Sequence, residues 1–279
     1  MPISNFHSHC NFCDGRASME QFVQYAVAKK LNAFGVSSHA PVPFSSRWAM
    51  KADDMPEYIQ EFNRLKKLYA TKIELYLGLE IDYFANEKMA VFDAVKNVAL
   101  DYRIGSIHHI DNFPDGTRWN IDGSEKVFKL ATEQIYNNDV RKIVRRYFEL
   151  SEEMLCNASF DIIGHLDKIV PNASQFAEFS IADKWYNDLM LSLLTTIKEK
   201  QIIIEINTKS FLGRGMTFPN QQYFKKINEL KIPVMVNSDC HYPDLLTAGF
   251  NEVYVLLKDN GIKSVITRKA NKWLEVGLV

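Results

Sequence analysis

The stretch Ile3-Ser4-Asn5-Phe6-His7-Ser8-His9 is a short apolar run that ends in two histidines. Residues i and i+2 of a strand point to the same face, so His7 and His9 can direct two imidazoles at one ion. Comparable runs recur along the chain, at residues 33–39, 73–82, 102–109, 160–167, 202–208 and 234–241, with residues 253–257 as a candidate eighth. The sequence therefore predicts a series of short strands with chemically active ends.

Helical patterns separate these runs. They cover residues 18–31, 56–70, 124–157, 181–200, 220–230 and 261–276, and the third is long enough for two helices. Strands that alternate with helices indicate βα units around a parallel sheet, and seven or eight such units favour an α/β barrel. Barrels of this kind carry their chemistry at the C-terminal ends of the strands. No repeat or linker divides the chain, so we expect one domain over residues 1–279.

The composition is that of an ordinary globular protein. Hydrophobic residues make up 47% of the 279 residues, which is enough for a sizeable core. The formal charge of -1 argues against a nucleic-acid-binding protein, and no run approaches the ~20 apolar residues of a membrane helix. The start of the chain lacks a secretory signal, and four cysteines do not form a disulfide framework. We therefore expect reduced thiols, a cytoplasmic location and no membrane partner.

All seven histidines of the chain fall at the ends of predicted strands. They are His7, His9, His39, His108, His109, His165 and His241. Acidic or amide side chains end the same runs at Glu80, Glu205, Asn207 and Asp239. A single histidine at such a position is more often a hydrogen-bonded core residue, but a whole set is hard to explain in that way. Imidazoles with carboxylates favour Zn, Fe or Mn over Ca or Mg.

The spacing of these residues refines the hypothesis. Asp239 and His241 share one strand face, whereas the adjacent His108 and His109 would point to opposite faces, so only one of them should ligate the same centre. Glu80 ends an apolar strand, where a carboxylate is costly without a cation or a hydrogen-bond partner. Two or more ions about 3.5–4 Å apart would share a hydroxide and hold a phosphoryl group.

These motifs resemble those of the PHP (polymerase and histidinol phosphatase) superfamily, in the same order and from His7 to His241. The matching stretches are His7-Ser8-His9 with Asp14-Gly15, then His39, Gly78-Leu79-Glu80-Ile81, Gly105-Ser106-Ile107-His108-His109, Gly164-His165-Leu166-Asp167 and Ser238-Asp239-Cys240-His241. The resemblance implies a distorted (β/α)7 TIM-like barrel with the active site at the C-terminal ends of the strands.

Within the superfamily the chain looks most like the histidinol-phosphate phosphatases. The supporting stretches are Ser38-His39-Ala40-Pro41-Val42-Pro43-Phe44, Trp48-Ala49-Met50, Pro56-Glu57-Tyr58, Glu205-Ile206-Asn207-Thr208, Arg214 and Phe218-Pro219. This likeness implies hydrolysis of L-histidinol phosphate to L-histidinol and phosphate, a step of histidine biosynthesis. A water that bridges two metal ions would attack phosphorus in line with the leaving oxygen.

The same resemblance implies three divalent ions, which would be Zn, Fe or Mn. One ion would be held by His7, His9, Glu80 and Asp239, the second by Glu80, His108 and His165, and the third by Asp14, His39 and His241. Some superfamily members have a histidine in place of Asp14, which makes the metal preference of the third position less certain. Glu80 would bridge two ions, and either Asp239 or His241 would protonate the leaving alcohol.

Substrate contacts are expected from cationic and aromatic residues after the strand ends. Arg214, in the flexible stretch Gly213-Arg214-Gly215, is the first candidate for the phosphate, ahead of Lys168 and the weaker Arg118. His109 would support the ligands or touch the substrate. Four aromatic residues could form an apolar wall for the alcohol or could simply pack their loops. These are Phe44, Trp48, Phe113 and Trp119.

Three rival functions remain open at this point: a PHP phosphoesterase for nucleotides or sugar phosphates, an amidohydrolase, and a non-enzymatic or polymerase-associated metal-binding module. Amidohydrolases usually have a metal-bridging lysine and a lone terminal aspartate, whereas here Glu80 ends the third strand. The C-x-x-C of Cys10 and Cys13 lacks the context of a redox pair or zinc ribbon, although oxidation could affect thiols beside a metal site. Cys156 is expected in the core. The oligomeric state is open.

Overall fold

Seven parallel strands in chain order form a nearly closed barrel in the computed structural model, which describes residues 3–278. The strands are β1 (Ser4–Asn5), β2 (Ala33–Val36), β3 (Glu74–Asp82), β4 (Tyr102–Ser106), β5 (Ile162–Ile163), β6 (Ile203–Asn207) and β7 (Val234–Asn237). The first and last strands meet where the amide of His9 donates to the carbonyl of Cys240 at 2.9 Å, beside a parallel bridge between Ser8 and Cys240. The predicted seven-stranded barrel is therefore confirmed.

Helices surround this barrel. They are α1 (Met19–Ala28), α2 (Met55–Leu68), α3 (Ala90–Val95), α4 (Glu125–Gln134), α5 (Val140–Asn157), α6 (Val170–Ala173), α7 (Lys184–Lys200), α8 (Phe211–Arg214), α9 (Phe224–Glu229) and α10 (Phe250–Asp259). The sequence marks their starts: Ser18 and Gln21 form a reciprocal capping box at α1. None of the helices within residues 3–278 is long and apolar enough to cross a membrane.

Two predictions about the C-terminal part were wrong. Residues 253–257 belong to helix α10 and add no eighth strand. Residues 261–276, predicted as a helix, contain an antiparallel hairpin of β8 (Ser264–Lys269) and β9 (Lys272–Gly277). Its two-residue turn, Ala270 and Asn271, has φ angles of 47° and 61°, the left-handed geometry that two-residue hairpins require. The β-branched residues that enter this turn also favour a strand over a helix.

The hairpin covers the N-terminal end of the barrel. Trp273 lies 5.7 Å from the ring of Phe6 and 6.3 Å from that of Tyr102, inside the mouth formed by the strand starts. Thr267 donates to the hydroxyl of Ser4 at 3.0 Å. The opposite, C-terminal end has no such cover from the hairpin, so side chains at the strand ends can form a site there.

Tyr102 fills the middle of the barrel and explains two glycines. Its hydroxyl donates to the carbonyl of Phe6 at 2.7 Å, and its ring lies against the backbone of Gly35 and Gly78. A Cβ at either glycine would lie 2.3 Å from an atom of Tyr102, far inside van der Waals contact. The sequence uses glycine at these two strand positions because the tyrosine occupies the space of a side chain.

We predict that Gly78→Ala lowers the free energy of unfolding by about 1–3 kcal/mol, because the added methyl group overpacks against Tyr102. Gly213→Ala is the matched control, since a Cβ there meets no atom within 4 Å. The control should leave stability unchanged or raise it by up to about 1 kcal/mol through helix propensity. Urea denaturation measures both, and equal stability of the two variants would show that Tyr102 can move aside.

Candidate metal centre

Glu80, a fully buried carboxylate near the end of β3, lies in the middle of a ring of imidazoles at the C-terminal end of the barrel. Five ring nitrogens lie within 3.6 Å of its two oxygens: His7 Nε2 at 3.1 Å, His9 Nε2 at 3.4 Å, His39 Nδ1 at 3.1 Å, His108 Nε2 at 3.6 Å and His165 Nε2 at 2.8 Å. One carboxylate thus contacts five side chains from four different parts of the chain.

Two further carboxylates complete the cluster. Asp239 Oδ1 lies 3.1 Å from His9 Nε2 and 3.8 Å from His7 Nε2. Asp14 Oδ1 lies 3.2 Å from His241 Nε2, 3.9 Å from His9 Nδ1 and 4.0 Å from the Nε2 atom of His39. His9 and His39 therefore present one nitrogen towards Glu80 and the other towards Asp14.

The strand ends hold these side chains in place. A bridge pairs His39 with Glu80, and the amide of Glu80 donates to the carbonyl of Ser38 at 3.1 Å. His165 and Asp239 have positive φ angles of 25° and 48°, a left-handed backbone that non-glycine residues seldom adopt. Such strain persists where the surroundings enforce it, often at functional sites. Here it places both side chains in the cluster.

Several buried polar atoms of the cluster have no hydrogen-bond partner within residues 3–278. They are His7 Nε2, His9 Nε2, Asp14 Oδ1, His39 Nδ1, Glu80 Oε2, Asp82 Oδ2, His109 Nε2 and His165 Nδ1. Buried polar atoms without partners are costly and need an explanation. Most of them face one another at the distances given above, and a cation between them would satisfy them.

The donor atoms also fit the spacing that metal ligands require. Three groups have ligand atoms within 4.8 Å of one another: His9, Asp14, His39 and His241; His7, His9 and Asp239; and His39, Glu80 and His108. Two ligand atoms of a tetrahedral ion with bonds of about 2.1 Å lie roughly 3.4 Å apart. The measured separations of 3.1–4.0 Å bracket that value. The residues therefore fit divalent metal ions.

These groups overlap with the predicted ligand sets without reproducing them. The first predicted set is found almost whole, as His7, His9 and Asp239 with Glu80 close by. In the second group His39 joins Glu80 and His108, whereas His165 contacts Glu80 through Nε2. The third set of Asp14, His39 and His241 gains His9. The division of these ligands among ions stays a prediction.

The charges of the cluster depend on its burial. Burial raises the pKa of Glu80, but the imidazoles of His7, His39 and His108 outweigh burial and hold that pKa well below its usual range. Burial lowers the pKa of His165 to about 4, with a further contribution from the ammonium group of Lys168. Glu80 is therefore ionised and His165 neutral at physiological pH, which are the protonation states of metal ligands.

Two carboxylates orient histidines from behind, and the prediction of site residues did not include them. Asp82 Oδ1 lies 2.6 Å from His108 Nδ1, and Glu205 Oε1 lies 2.6 Å from His7 Nδ1. Each contact directs Nε2 into the cluster, as carboxylates behind metal-bound histidines do. Nε2 of His7 has no hydrogen-bond partner within residues 3–278, and that of His108 lies 3.1 Å from Lys168 Nζ. Asp82 follows Glu80 by two residues on the same strand face, and that spacing could have indicated it.

Two lysines face the same side of the cluster. The Nζ atom of Lys168 is buried and lies 3.2 Å from Asp122 and 3.7 Å from Asp239. Burial lowers the pKa of Lys168, but these carboxylates outweigh burial and raise it, so the ammonium group is charged. Lys209 was not predicted, and its Nζ lies 3.0 Å from Asp239 Oδ1 and 3.4 Å from His241 Nδ1. Its position in the turn directly after β6, two residues beyond Asn207, is the signal that was missed.

The other predicted substrate contacts lie further out. Arg214 is exposed at the end of α8, and its side chain makes no hydrogen bond or ion pair with any residue from 3 to 278. Arg118 is paired with Glu87 and lies 3.8 Å over the ring of Phe44. Neither arginine is brought to the imidazoles. A phosphate role for Arg214 stays a prediction.

Aromatic side chains border the cluster on one side. Trp48 stacks on His109 at 5.6 Å and meets His39 edge-on at 4.9 Å. His109 Nδ1 donates to the carbonyl of Trp119 at 2.8 Å. Only His108 of the adjacent pair faces Glu80, as the strand alternation predicted. The small cavity over the cluster is lined by Asp14, His39, Trp48, His108, Asn120, Asp122, Lys168, Lys209, Asp239 and His241.

The four cysteines are free. Cys13 Sγ lies 3.5 Å from His9 Nδ1, on the outer side of the cluster. Burial raises the pKa of Cys10 to about 11, so it has little thiolate character. Cys240 is buried with Sγ near Asn5, away from the ligands, as predicted. Cys156 is exposed, so its expected place in the core was wrong.

Fold and site together define a seven-stranded α/β barrel with a site for divalent metal ions at the C-terminal ends of its strands. The model of the PHP domain family matches residues 5–209, which is most of the chain. The chain belongs to this family, as its motifs predicted.

Similar proteins cover nearly the full length of the chain. A probable histidinol-phosphatase of Deinococcus radiodurans is 25% identical over 270 residues, which are 95% of this chain and 96% of that protein. A probable histidinol-phosphatase of Schizosaccharomyces pombe is 26% identical over 279 residues, covering 95% and 89% of the two chains.

A solved structure shows the same fold. The histidinol phosphate phosphatase of Lactococcus lactis, complexed with zinc, L-histidinol and phosphate, aligns with a TM-score of 0.77 and 20% identity. The alignment covers 97% of this chain and 98% of that chain.

We predict that Glu80→Gln reduces metal affinity by at least about 100-fold, because the amide removes the charge that five imidazoles surround. Elemental analysis of the purified protein measures the bound metal. Glu74→Gln, at the start of the same strand, is the matched control, because its contacts with Tyr76 and Ala270 lie at the far end of the barrel. Full metal content in Glu80→Gln would contradict the bridging role.

Proposed function

We propose that this protein is a metal-dependent phosphatase that hydrolyses L-histidinol phosphate to L-histidinol and inorganic phosphate. The observation that carries the proposal is the convergence of histidines and carboxylates with two lysine ammonium groups on one cavity. A cation site beside fixed ammonium groups suits a small anionic ester. The descriptions of the relatives support histidinol phosphate as that ester. The reaction belongs to histidine biosynthesis, a cytoplasmic pathway.

The proposal includes three divalent ions, which would be Zn, Fe or Mn. Zinc has support from the L. lactis structure, which is described as a zinc complex. The ligands would be His7, His9, Asp14, His39, Glu80, His108, His165, Asp239 and His241, with Glu80 shared between two ions. When bound, such ions neutralise phosphoryl oxygens and acidify water, which is the chemistry that phosphate ester hydrolysis needs.

Lys168 and Lys209 would bind the phosphate group. Their Nζ atoms approach different oxygens of Asp239: Lys168 lies 3.7 Å from Oδ2 and Lys209 lies 3.0 Å from Oδ1. Lys168 is fixed by its contacts with Asp122 and His108, whereas Lys209 is 38% exposed and free to turn towards a ligand. A phosphate oxygen could replace Asp239 as the partner of Lys209. Two ammonium groups would then hold the dianion in one orientation.

The leaving alcohol requires a proton. Burial raises the pKa of Asp239, but Lys209, His7 and Lys168 outweigh burial and hold that pKa well below its usual range. Asp239 is therefore ionised and suited to bind cations. Of the two candidates, His241 would then be the proton donor: it borders the cavity, and ligation through Nε2, which lies 3.2 Å from Asp14, would leave Nδ1 to carry a proton.

The organic part of the substrate would lie towards Trp48 and Asn120. Trp48 offers an apolar surface beside His39, and Asn120 and Asp122 add polar groups to the lining of the same cavity. A planar imidazole with a neighbouring amine matches this combination of an aromatic face with a carboxylate. Phe44 is covered by Arg118, so it contributes less than the sequence suggested.

Membership of the PHP family favours phosphoester chemistry over the amidohydrolase alternative. The clustering of the predicted ligands around one cavity likewise argues against a metal-binding module without activity. The remaining rival function is that of a related phosphoesterase for nucleotides or sugar phosphates. Only a comparison of substrates distinguishes it from a histidinol-phosphate phosphatase.

We predict that the metal-loaded protein releases phosphate from L-histidinol phosphate faster than from other monoesters or diesters. A phosphate-release assay over a substrate panel, with metal content measured on the same sample, tests the substrate. Chelation should abolish turnover, and added zinc or manganese should restore it. A preference for a diester or a nucleotide by about tenfold or more would replace the proposed substrate.

We predict that Lys209→Ala lowers kcat/KM by about 10- to 100-fold, the effect of one lost charge-assisted hydrogen bond, while metal content stays normal. Arg214→Ala is the comparison, because Arg214 was the first candidate from sequence. The structure favours a small effect for Arg214. If Arg214→Ala lowered kcat/KM more than Lys209→Ala, the loop of α8 would have to close over the substrate.

A further inference from the structure

Glu205 lies behind the cluster in the middle of β6 and is completely buried. Its Oε1 atom is 2.6 Å from His7 Nδ1 and 3.0 Å from the side-chain nitrogen of Asn237. Its Oε2 atom accepts from the backbone amide of His165 at 2.8 Å and from the side chain of Asn207 at 2.9 Å. Four donors thus converge on one carboxylate, which has no remaining capacity to ligate an ion itself.

We propose that Glu205 is a positioning residue that prepares two metal ligands, His7 and His165, as one unit. This inference rests on the proposed metal-dependent function and extends it to a residue outside the ligand set.

The first part of the unit is the tautomer of His7. An ionised carboxylate can only accept hydrogen bonds, so the contact with Glu205 places the proton of His7 on Nδ1. When the ring is neutral, as a metal ligand must be, the lone pair of Nε2 points at Glu80 and Asp239, which lie at 3.1 Å and 3.8 Å. Without Glu205 the neutral ring could carry its proton on Nε2. The protonated Nε2 could not then bind a cation.

The second part is the backbone of His165. Its φ of 25° is strained for a residue with a side chain. The hydrogen bond from its amide to Glu205 Oε2 holds the peptide in that geometry, and the ring then reaches Glu80 with Nε2 at 2.8 Å. The same carboxylate therefore controls ligands on both sides of Glu80, because His7 contacts Oε2 of Glu80 and His165 contacts Oε1.

Asp82 offers an internal comparison. It also contacts a histidine ring from behind, with 2.6 Å between its Oδ1 and His108 Nδ1. Its second oxygen, Oδ2, has no hydrogen-bond partner in the described part of the chain. Asp82 thus hydrogen-bonds one ligand and approaches His39 Nδ1 only to 3.8 Å, whereas Glu205 hydrogen-bonds two ligands and two asparagines. Loss of Glu205 should disturb the centre more widely than loss of Asp82.

The test begins with the unaltered protein loaded with zinc, in which a metal-bound ring carries a single proton. We expect ¹⁵N NMR to show the ring of His7 with its proton on Nδ1, the resonance being assigned by its loss in His7→Gln. This measurement needs no folded variant of Glu205 and no substrate. A His7 ring with its proton on Nε2 would overturn the proposal.

Glu205→Gln is the main variant, since the amide has the same size but must place a donor where the carboxylate accepts. We expect zinc affinity, measured by competition with a chelating dye, to fall by about 10- to 100-fold, as for other carboxylates behind metal-bound histidines. Cobalt-loaded protein should show an altered visible spectrum. Glu275→Gln, an exposed substitution on β9, is the matched control and should change neither quantity.

Glu205→Asp separates positioning from mere structural support. It keeps an ionised acceptor, so the Nδ1 proton of His7 should persist and zinc affinity should lie between those of the wild type and Glu205→Gln. Wild-type affinity and an unchanged cobalt spectrum in Glu205→Gln would refute the positioning role, even if the protein hydrolyses histidinol phosphate. Weakened zinc binding in a protein that does not hydrolyse this ester would refute the proposed substrate alone.

Discussion

The arrangement of this protein depends on one interaction, the contact of the buried Glu80 carboxylate with five imidazoles. An isolated charge in that position would be strongly unfavourable, and histidines in the segments that follow β1, β2, β4 and β5 offset its cost. Those histidines can meet at one point only because parallel strands end at the same side of a barrel. The barrel and the cluster are therefore two aspects of a single constraint.

The two ends of the barrel have different roles: the N-terminal end contributes to stability, and the C-terminal end carries the chemistry. At the N-terminal end the interior is apolar, with Tyr102, Phe6 and Trp273 in close contact. At the C-terminal end the interior is filled by histidines and acids that leave buried atoms without partners. The packed end can support strain at the other end, where His165 and Asp239 have left-handed backbones.

Much of this could be predicted from the sequence because strand ends and histidines coincide. The alternation of runs and helices predicted the barrel, and the i, i+2 spacing of His7 and His9 predicted their common direction. The C-terminal hairpin was missed because the hydrophobic pattern of a short amphipathic segment fits the period of a helix and that of a strand. The packing of the segment on the barrel decides between them. Glu205 and Lys209 were missed as site residues because their roles depend on neighbours distant in sequence, such as His7 and Asp239. Arg214 was favoured because it follows a strand end. That position gives no information on which way the loop turns.

His9 and His39 each present their two ring nitrogens to different carboxylates, Glu80 on one side and Asp14 on the other. A neutral imidazole has one lone pair to offer, so each ring can serve one ion at a time. Occupancy of one position therefore alters the ligands that remain for its neighbour, and by thermodynamic reciprocity the neighbour alters the first. The centre should consequently load its ions in a linked sequence, with metal supply setting how much of the protein is fully assembled.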